Sequence, residues 1–294
     1  MHILITGGTG LIGTATRERL LEQGHRVTVL TRRLRTDGPH LAFIKRLSQC
    51  GQDVDVVINL AGAGLADRRW SRRYKREITN SRVQLTQQLV EWMHTLDVAP
   101  KKLISASAIG YYGASETLQF TESSAGGVGF SAELCQAWEE VANTAQALGT
   151  QVVILRLGVV FARSGGALKK MTQSFRFGVE SWLGSGSQWL SWVHLSDVVR
   201  AIDHALTADA PAPIYNVAAP NAVTHRQLAR EVGDFHGVWL KLGVPAASAR
   251  LLAGQMAEEL LLTGQRVLPA QLEAEGFHFH YPTVGDALTD IQNA

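Results

Sequence analysis

The chain begins with a short apolar strand that runs directly into glycines: His2-Ile3-Leu4-Ile5-Thr6-Gly7-Gly8-Thr9-Gly10-Leu11-Ile12-Gly13. This T-G-x-x-G-x-x-G pattern on a strand–turn–helix restricts the backbone more than any other segment does. Gly7 lets the chain leave the strand in a tight turn, and Gly10 lets backbone approach a pyrophosphate with no Cβ in the way. Gly13 allows the following helix to lie close to the sheet. That helix opens near Leu11 and aims its free amides and the positive end of its dipole at the same point. Its apolar pattern (Leu11, Ala15, Leu20, Leu21) runs to a stop at Gly24. The segment predicts a dinucleotide site with Gly7, Thr9, Gly10, Leu11, Ile12 and Gly13 against the ligand.

Strand and helix signals then alternate. Arg26–Thr31 is β-branched, a weaker strand follows near Leu41–Ile44, and Val54–Ala61 is a nearly continuous apolar run. Such a run suits a parallel strand buried on both faces. A long helix is predicted from about Ser71 to Met93, with an apolar stripe at Tyr74, Ile78, Leu85, Leu89 and Met93. Further strands are expected at Leu103–Ala106, Val152–Leu157 and Ile214–Val217, and helices at about Ser131–Leu148 and Ser196–Leu206. Alternation at this spacing implies a Rossmann-type α/β fold, a doubly wound parallel sheet with right-handed crossovers. The last third is less regular. It has helical patterns near His225–Phe235, Ala247–Thr263 and Pro269–Glu275, and Phe277–Pro282 alternates like a short strand. The expected division is a dinucleotide-binding domain over 1–165, to which elements near 194–218 return, and a smaller substrate-side α/β lobe over 166–294.

The end of the second strand selects among dinucleotides. NAD-preferring versions of this fold place a carboxylate there to hold the ribose 2′-hydroxyl. Here the position reads Thr31-Arg32-Arg33, and two guanidiniums can clamp a 2′-phosphate. The expected cofactor is NADP(H). A second basic run, Arg68 to Arg76, reads as the solvated face of the long helix and its lead-in. Net charge of +2 gives no global basic field for nucleic acid. No stretch approaches a membrane span, and no leader pattern precedes the first strand. Two cysteines, Cys50 and Cys135, read as free thiols of a reducing compartment, so the cytoplasm is expected. No Cys/His cluster has metal-ligand spacing.

Taken together, the motifs resemble the extended short-chain dehydrogenase/reductase superfamily and its NAD(P)-dependent epimerase/dehydratase-like group. The pieces are T-G-G-T-G-L-I-G (Thr6–Gly13), N-L-A-G (Asn59–Gly62), S-A-S-A-I-G-Y-Y-G (Ser105–Gly113), R-L-G-V-V (Arg156–Val160), W-V-H-L-S-D-V-V (Trp192–Val199) and Y-N-V-A-A-P (Tyr215–Pro220). The branch called epimerase family protein YfcH is the closer match. Its hallmarks stand here as A-D-R-R-W (Ala66–Trp70), S-G-G-A-L-K-K-M (Ser164–Met171), L-G-S-G-S-Q-W (Leu183–Trp189) and L-L-L-T-G-Q-R-V-L-P (Leu260–Pro269). The resemblance implies that Leu60, Ala61 and Gly62 line the adenosine ribose, that Glu77 and Arg82 help fix the cofactor, and that Ser105, Ser107 and Val159 fall beside the nicotinamide. Two segments depart from the pattern: Ala63-Gly64 stands where Glu-Pro is common, and Val179–Trp182 replaces a glycine-rich stretch.

The chain also lacks the superfamily's usual proton-transfer pair. That pair is Tyr-x-x-x-Lys on the helix after the S-x-S segment, the lysine lowering the tyrosine pKa. Phe130 and Leu134 occupy the two positions, and no Tyr-x-x-x-Lys occurs anywhere in the chain. Losing a positioned general acid costs ~10²–10⁴-fold. Candidates to replace it are Ser107, Tyr111 and Tyr112, with Glu133, Cys135 and His194 as weaker ones. The expectation is an atypical NADP(H)-dependent oxidoreductase or epimerase-like enzyme, monomeric or homodimeric, acting on an unidentified small molecule. The competing expectation is a non-catalytic NADP(H)-binding redox sensor.

Overall fold

Alternate residues of the first strand face opposite ways, and both sides are apolar. Ile3 and Ile5 join one buried cluster and Leu4 joins another. A strand of this kind must be covered on both faces. The computed structural model describes residues 1–33 and 35–293. Its first strands are β1 (His2–Thr6), β2 (Arg26–Leu30), β3 (Leu41–Ile44), β4 (Val56–Asn59) and β5 (Lys102–Ala108). After the short β6 (Gln119–Phe120) comes β7 (Gln151–Leu157). Then β8 (Val159–Ala162), β9 (Val179–Leu183), β10 (Trp189–Leu190) and β11 (Trp192–His194) leave the sheet, and β12 (Ile214–Val217) returns to it. The short β13 (Val223–Thr224), β14 (Leu240–Val244) and β15 (Arg266–Val267) pair with β10, β9 and β6.

Among the described residues the main sheet has seven strands in the order β12-β7-β5-β4-β1-β2-β3. Every pairing in it is parallel. The Rossmann-type doubly wound sheet is therefore present. Its order reverses between β1 and β4, so a crevice opens beyond Thr6 and Asn59, where open α/β sheets take their ligands.

Helix α1 (Leu11–Glu22) covers one face. On the other, the predicted long helix is broken in two: α2 (Arg72–Thr79) and α3 (Leu85–Met93) flank a π-helical turn, Asn80–Gln84. Ser71 caps α2 by accepting from the Tyr74 amide at 3.1 Å. Helix α4 (Phe130–Asn143) lies beside α3 on the same face. Next come α5 (Gly166–Met171) and α6 (Leu195–Thr207), the latter beside α1 with Val198, Ala201, Ile202 and Ala205 in the core. A separate cluster, built around Phe161, Trp192, Leu228 of α7 (His225–Asp234) and Leu288, forms a second core.

The predicted helix over Ala247–Thr263 is interrupted at Gly254 (φ +58°). It becomes α8 (Ala246–Ala253), α9 (Gln255–Ala257) and a π-helical turn, Glu258–Leu262. After α10 (Ala270–Ala274), the segment Phe277–Pro282 is not a strand, and α11 (Val284–Asn293) follows. Phe277 does pack into the sheet-side core, but the amides of His280 and Tyr281 donate to the buried Asp197 carboxylate at 2.8 and 3.0 Å. A side chain thus supplies the acceptors a neighbouring strand would have offered.

Candidate functional site

The turn after β1 is shaped by what its glycines exclude. Gly7 has φ +70°, and a Cβ there would stand 2.7 Å from the Leu60 carbonyl carbon. A Cβ on Gly13 would overlap the backbone of Gly7 and Gly8. Gly10 differs: its nearest obstacle is the Gly7 carbonyl oxygen at 3.3 Å, and it faces an open groove. The groove holds about 440 Å³ and is lined by Thr9, Gly10, Leu11 and Thr14 on one side and Ser164, Gly165 and Leu195 on the other. No side chain caps α1, whose N-cap is Gly10. Its first amides and dipole therefore point at the groove. This cradle fits the pyrophosphate of a dinucleotide.

The second wall is fixed by a hydrogen-bonded chain across the sheet. Thr6 Oγ1 donates to Asn59 Oδ1 at 2.6 Å and accepts from the Ala61 amide at 3.2 Å. Asn59 Nδ2 in turn donates to Thr86 Oγ1 (2.8 Å) and Ser105 Oγ (3.1 Å). Leu60, Ala61 and Gly62 are thereby held against the glycine turn. Ser105 is a buried member of this chain. The π-helical turn presents Arg82, whose guanidinium lies against Gly62 and donates to the Ala63 carbonyl at 3.0 Å. Glu77, one turn earlier on α2, is exposed. At the end of β2, Arg32 and Arg33 are both exposed to solvent. Sequence reasoning missed Arg17 of α1, which donates to the Gly8 carbonyl at 3.2 Å and sits 5.9 Å from the Phe43 ring. It also gave no site role to Ser164 and Gly165, which close the groove opposite Thr9.

Beyond the groove lies a cleft of about 260 Å³. Its walls include Val159, Ser131 and Trp189, together with Glu259 and Gln265 of the C-terminal segment. Phe130, where the tyrosine would stand, packs edge-on against Trp70 at 4.9 Å with the Lys75 ammonium 4.7 Å from its ring centre. Leu134, at the lysine position, is buried with Trp70, Tyr74 and Ile78. Phe130 and Leu134 thus both belong to one apolar cluster.

The proposed substitutes lie elsewhere. Ser107 is 2% exposed and donates to Glu139 Oε1 at 2.6 Å. Glu139 accepts a bidentate pair from buried Arg156, at 2.9 Å from Nε and 2.7 Å from Nη2. Arg156 Nη1 also donates to the Tyr112 hydroxyl at 2.9 Å, and that hydroxyl donates to Asn216 Oδ1 at 2.7 Å. Tyr111 lays its ring over the same guanidinium, 3.4 Å from Cζ. Burial pushes the Tyr112 phenol above its ordinary value, against the pull of Arg156. A tyrosine acting as acid near neutral pH needs the opposite shift. Ser107, Tyr111 and Tyr112 are not among the residues that line the cleft. They form a buried ion-pair network joining β5, β7, β12 and α4. Glu133 is exposed, and burial pushes the Cys135 thiol up to about 11, so it holds its proton. His194 caps α6, accepting from the Ser196 amide at 3.3 Å. No group of three or more metal-ligating side chains is found among the described residues.

The cleft side of α4 is finished by a distant residue. Glu259 accepts from the amides of Phe130 (3.2 Å) and Ser131 (2.9 Å) and from Gln255 Nε2 (2.6 Å). Burial pushes its carboxyl up, but these donors outweigh burial and hold it below the usual range.

A doubly wound parallel sheet with a glycine cradle at its switch point defines a dinucleotide-fold protein. Residues 3–218 match the NAD dependent epimerase/dehydratase family, and the chain belongs to it. Residues 244–291 match a domain of unknown function, DUF1731. Epimerase family protein SSP1921 of Staphylococcus saprophyticus is 38% identical over 301 residues, covering 99% of each chain. Human epimerase family protein SDR39U1 (isoform 2), solved with NADPH, superposes with a TM-score of 0.90 at 31% identity, covering 100% of this chain and 99% of that one. The nucleoside-diphosphate sugar epimerase of Corynebacterium glutamicum gives a TM-score of 0.78 at 30% identity, covering 98% of this chain and 57% of the other.

Proposed function

We propose that this protein is an NADP(H)-binding oxidoreductase of atypical mechanism, with the dinucleotide across the β1/β4 crevice and a small substrate in the adjoining cleft. The carrying observation is the cradle itself. Its Gly10 position is left open by the protein, while β2 delivers Arg32 and Arg33 to solvent at the adenosine end. The similarity to human SDR39U1, solved with NADPH, supports the phosphorylated form of the cofactor.

Each part of the site has a physical task. Gly7, Thr9, Gly10, Leu11, Ile12 and Gly13 shape a phosphate seat from backbone and helix dipole. Arg32 and Arg33 supply charge-assisted donors for a 2′-phosphate. Leu60, Ala61 and Gly62, backed by Arg82, flank the ribose, with Glu77 at their outer edge. Ser105 and Val159 border the nicotinamide end, and Ser107 fixes that end through Glu139. The bound cofactor would supply hydride-transfer chemistry. Cys50 and Cys135 are both free thiols, which fits the reducing compartment of a cytoplasmic protein, and burial pushes each up to about 11.

The double substitution Arg32→Ala with Arg33→Ala tests the reading. Lost charge-assisted hydrogen bonds of about 1.5–3 kcal/mol should weaken NADPH roughly 10–100-fold and leave NADH almost unchanged. Equal losses for both dinucleotides would refute the assignment of these arginines. A second reading, a redox-sensing binder without turnover, is favoured by the apolar cluster at Phe130 and Leu134. It requires NADP⁺ and NADPH to differ in affinity and in what the protein then binds.

A further inference from the structure

The cleft has a charge character that the nucleotide-sugar enzymes of its family would not suggest. Among the described residues, Glu259 is the one ionised side chain lining it, and no lysine or arginine does. Glu259 is held in its charged form by two backbone amides and Gln255. His225, also in the wall, is buried and pushed down to about 4, so at neutral pH it adds no positive charge. Two cations are engaged by aromatic rings near the cleft, without lining it. Arg266 lies 5.0 Å from the centre of the Trp189 ring, and Lys75 sits over Phe130 and bonds Gln255.

The remaining polar atoms are mostly satisfied. Ser191 Oγ donates to the Gln265 carbonyl at 3.0 Å and accepts from the Val267 amide at 2.9 Å. Gln265 Nε2 donates to the Ile109 carbonyl at 3.1 Å. Ser131 Oγ is buried beside the Glu259 carboxylate, which its hydroxyl helps to hold in the charged form. A diphosphate or carboxylate entering here would shed water and meet a carboxylate with no counter-charge. A neutral or cationic molecule meets a fixed carboxylate and an aromatic wall. The volume, about 260 Å³, suits a single small ring.

We propose that the cleft takes a small, phosphate-free alcohol or carbonyl compound, neutral or positively charged, with Glu259 setting the charge preference. This rests on the cleft being the substrate end of the NADP(H) site. The test uses three ring alcohols of one frame: cyclohexanol, 4-aminocyclohexanol and 4-hydroxycyclohexanecarboxylate. UDP-glucose represents the nucleotide sugars. Binding to the full chain is followed by saturation-transfer NMR, with and without NADP⁺. The amine and the neutral alcohol should bind at least about tenfold more tightly than the carboxylate or UDP-glucose, a difference of about 1.4 kcal/mol or more.

Glu259→Gln, whose single amide oxygen can keep only one of the two backbone amides of the cap, should erase the preference for amine over carboxylate. Thr263→Lys, which leaves the cap untouched, should bring the carboxylate up to the amine. The proposal is overturned if UDP-glucose or the carboxylate binds wild type as tightly as the amine. It also fails if both substitutions leave the order unchanged, or if no ring alcohol binds. NADPH titration of the same sample reports on the cofactor reading separately: a chain that binds no NADPH ends that reading, while the probe order is still read on cofactor-free protein.

Discussion

Gly10 and Gly13 sit three residues apart in one turn, yet the structure needs them for different reasons. A Cβ on Gly13 has nowhere to go, because the backbone of Gly7 and Gly8 already fills the space. A Cβ on Gly10 is tolerated after a small shift of the Gly7 carbonyl, since the N-cap backbone there is extended (φ −82°, ψ −179°). Gly13→Ala is therefore expected to cost about 2–4 kcal/mol of stability, read as a lower denaturation midpoint. Gly10→Ala should keep its midpoint near wild type while its affinity for NADPH falls. If both variants lose only stability, the open face of Gly10 is not a ligand seat. This part of the site was legible in the sequence because turn chemistry is local: the glycines of one short stretch, Gly7–Gly13, carry their own geometric demands.

Helix α4 shows where local reading stops. Its sequence says that tyrosine and lysine are missing and that Phe130 and Leu134 stand in their places. It cannot say that the helix is capped by Glu259, 128 residues beyond Ser131. Nor can it say that Ser107 turns toward Glu139 and Arg156, because those partners come from α4 and β7. Candidates chosen by nearness along the chain, Tyr111 and Tyr112, are claimed by the same guanidinium.

Two predictions belong to this element. Arg156→Met leaves the Glu139 carboxylate buried without its partner and should cost about 3–5 kcal/mol. An unchanged urea midpoint would show that the pair contributes nothing. Glu259→Ala removes an ionised cap and should cost about 1 kcal/mol at neutral pH. Because the folded Glu259 carboxyl titrates below its ordinary value, its contribution is complete above about pH 4.3 and is lost as pH falls through the folded value. Melting curves of wild type and variant should accordingly converge in acid; a gap that widens there would contradict the assigned role.

At the scale of the molecule, the alternation of strands and helices announced the seven-strand sheet, since buried parallel strands and amphipathic helices write distinct periods into the chain. The C-terminal segment was less legible. Phe277–Pro282 has a strand's alternation, but its amides go to Asp197, a partner supplied by α6. The same segment places Leu272 and Phe277 in the sheet-side core and Val284, Ala287 and Leu288 in the second core. It is thus part of both cores and not an appendage. A chain ending at Val244 should show no cooperative thermal transition by circular dichroism. A sharp two-state melt would mean that the segment docks on an already complete fold.

A β1/β4 crevice built for the phosphorylated dinucleotide is tested by the affinity of the wild-type chain for NADPH and NADH side by side in one buffer. NADPH should bind at least about tenfold more tightly, equal to about 1.4 kcal/mol, by a margin that shrinks as salt screens the arginines. Tighter binding of NADH, or no binding of either, would contradict it.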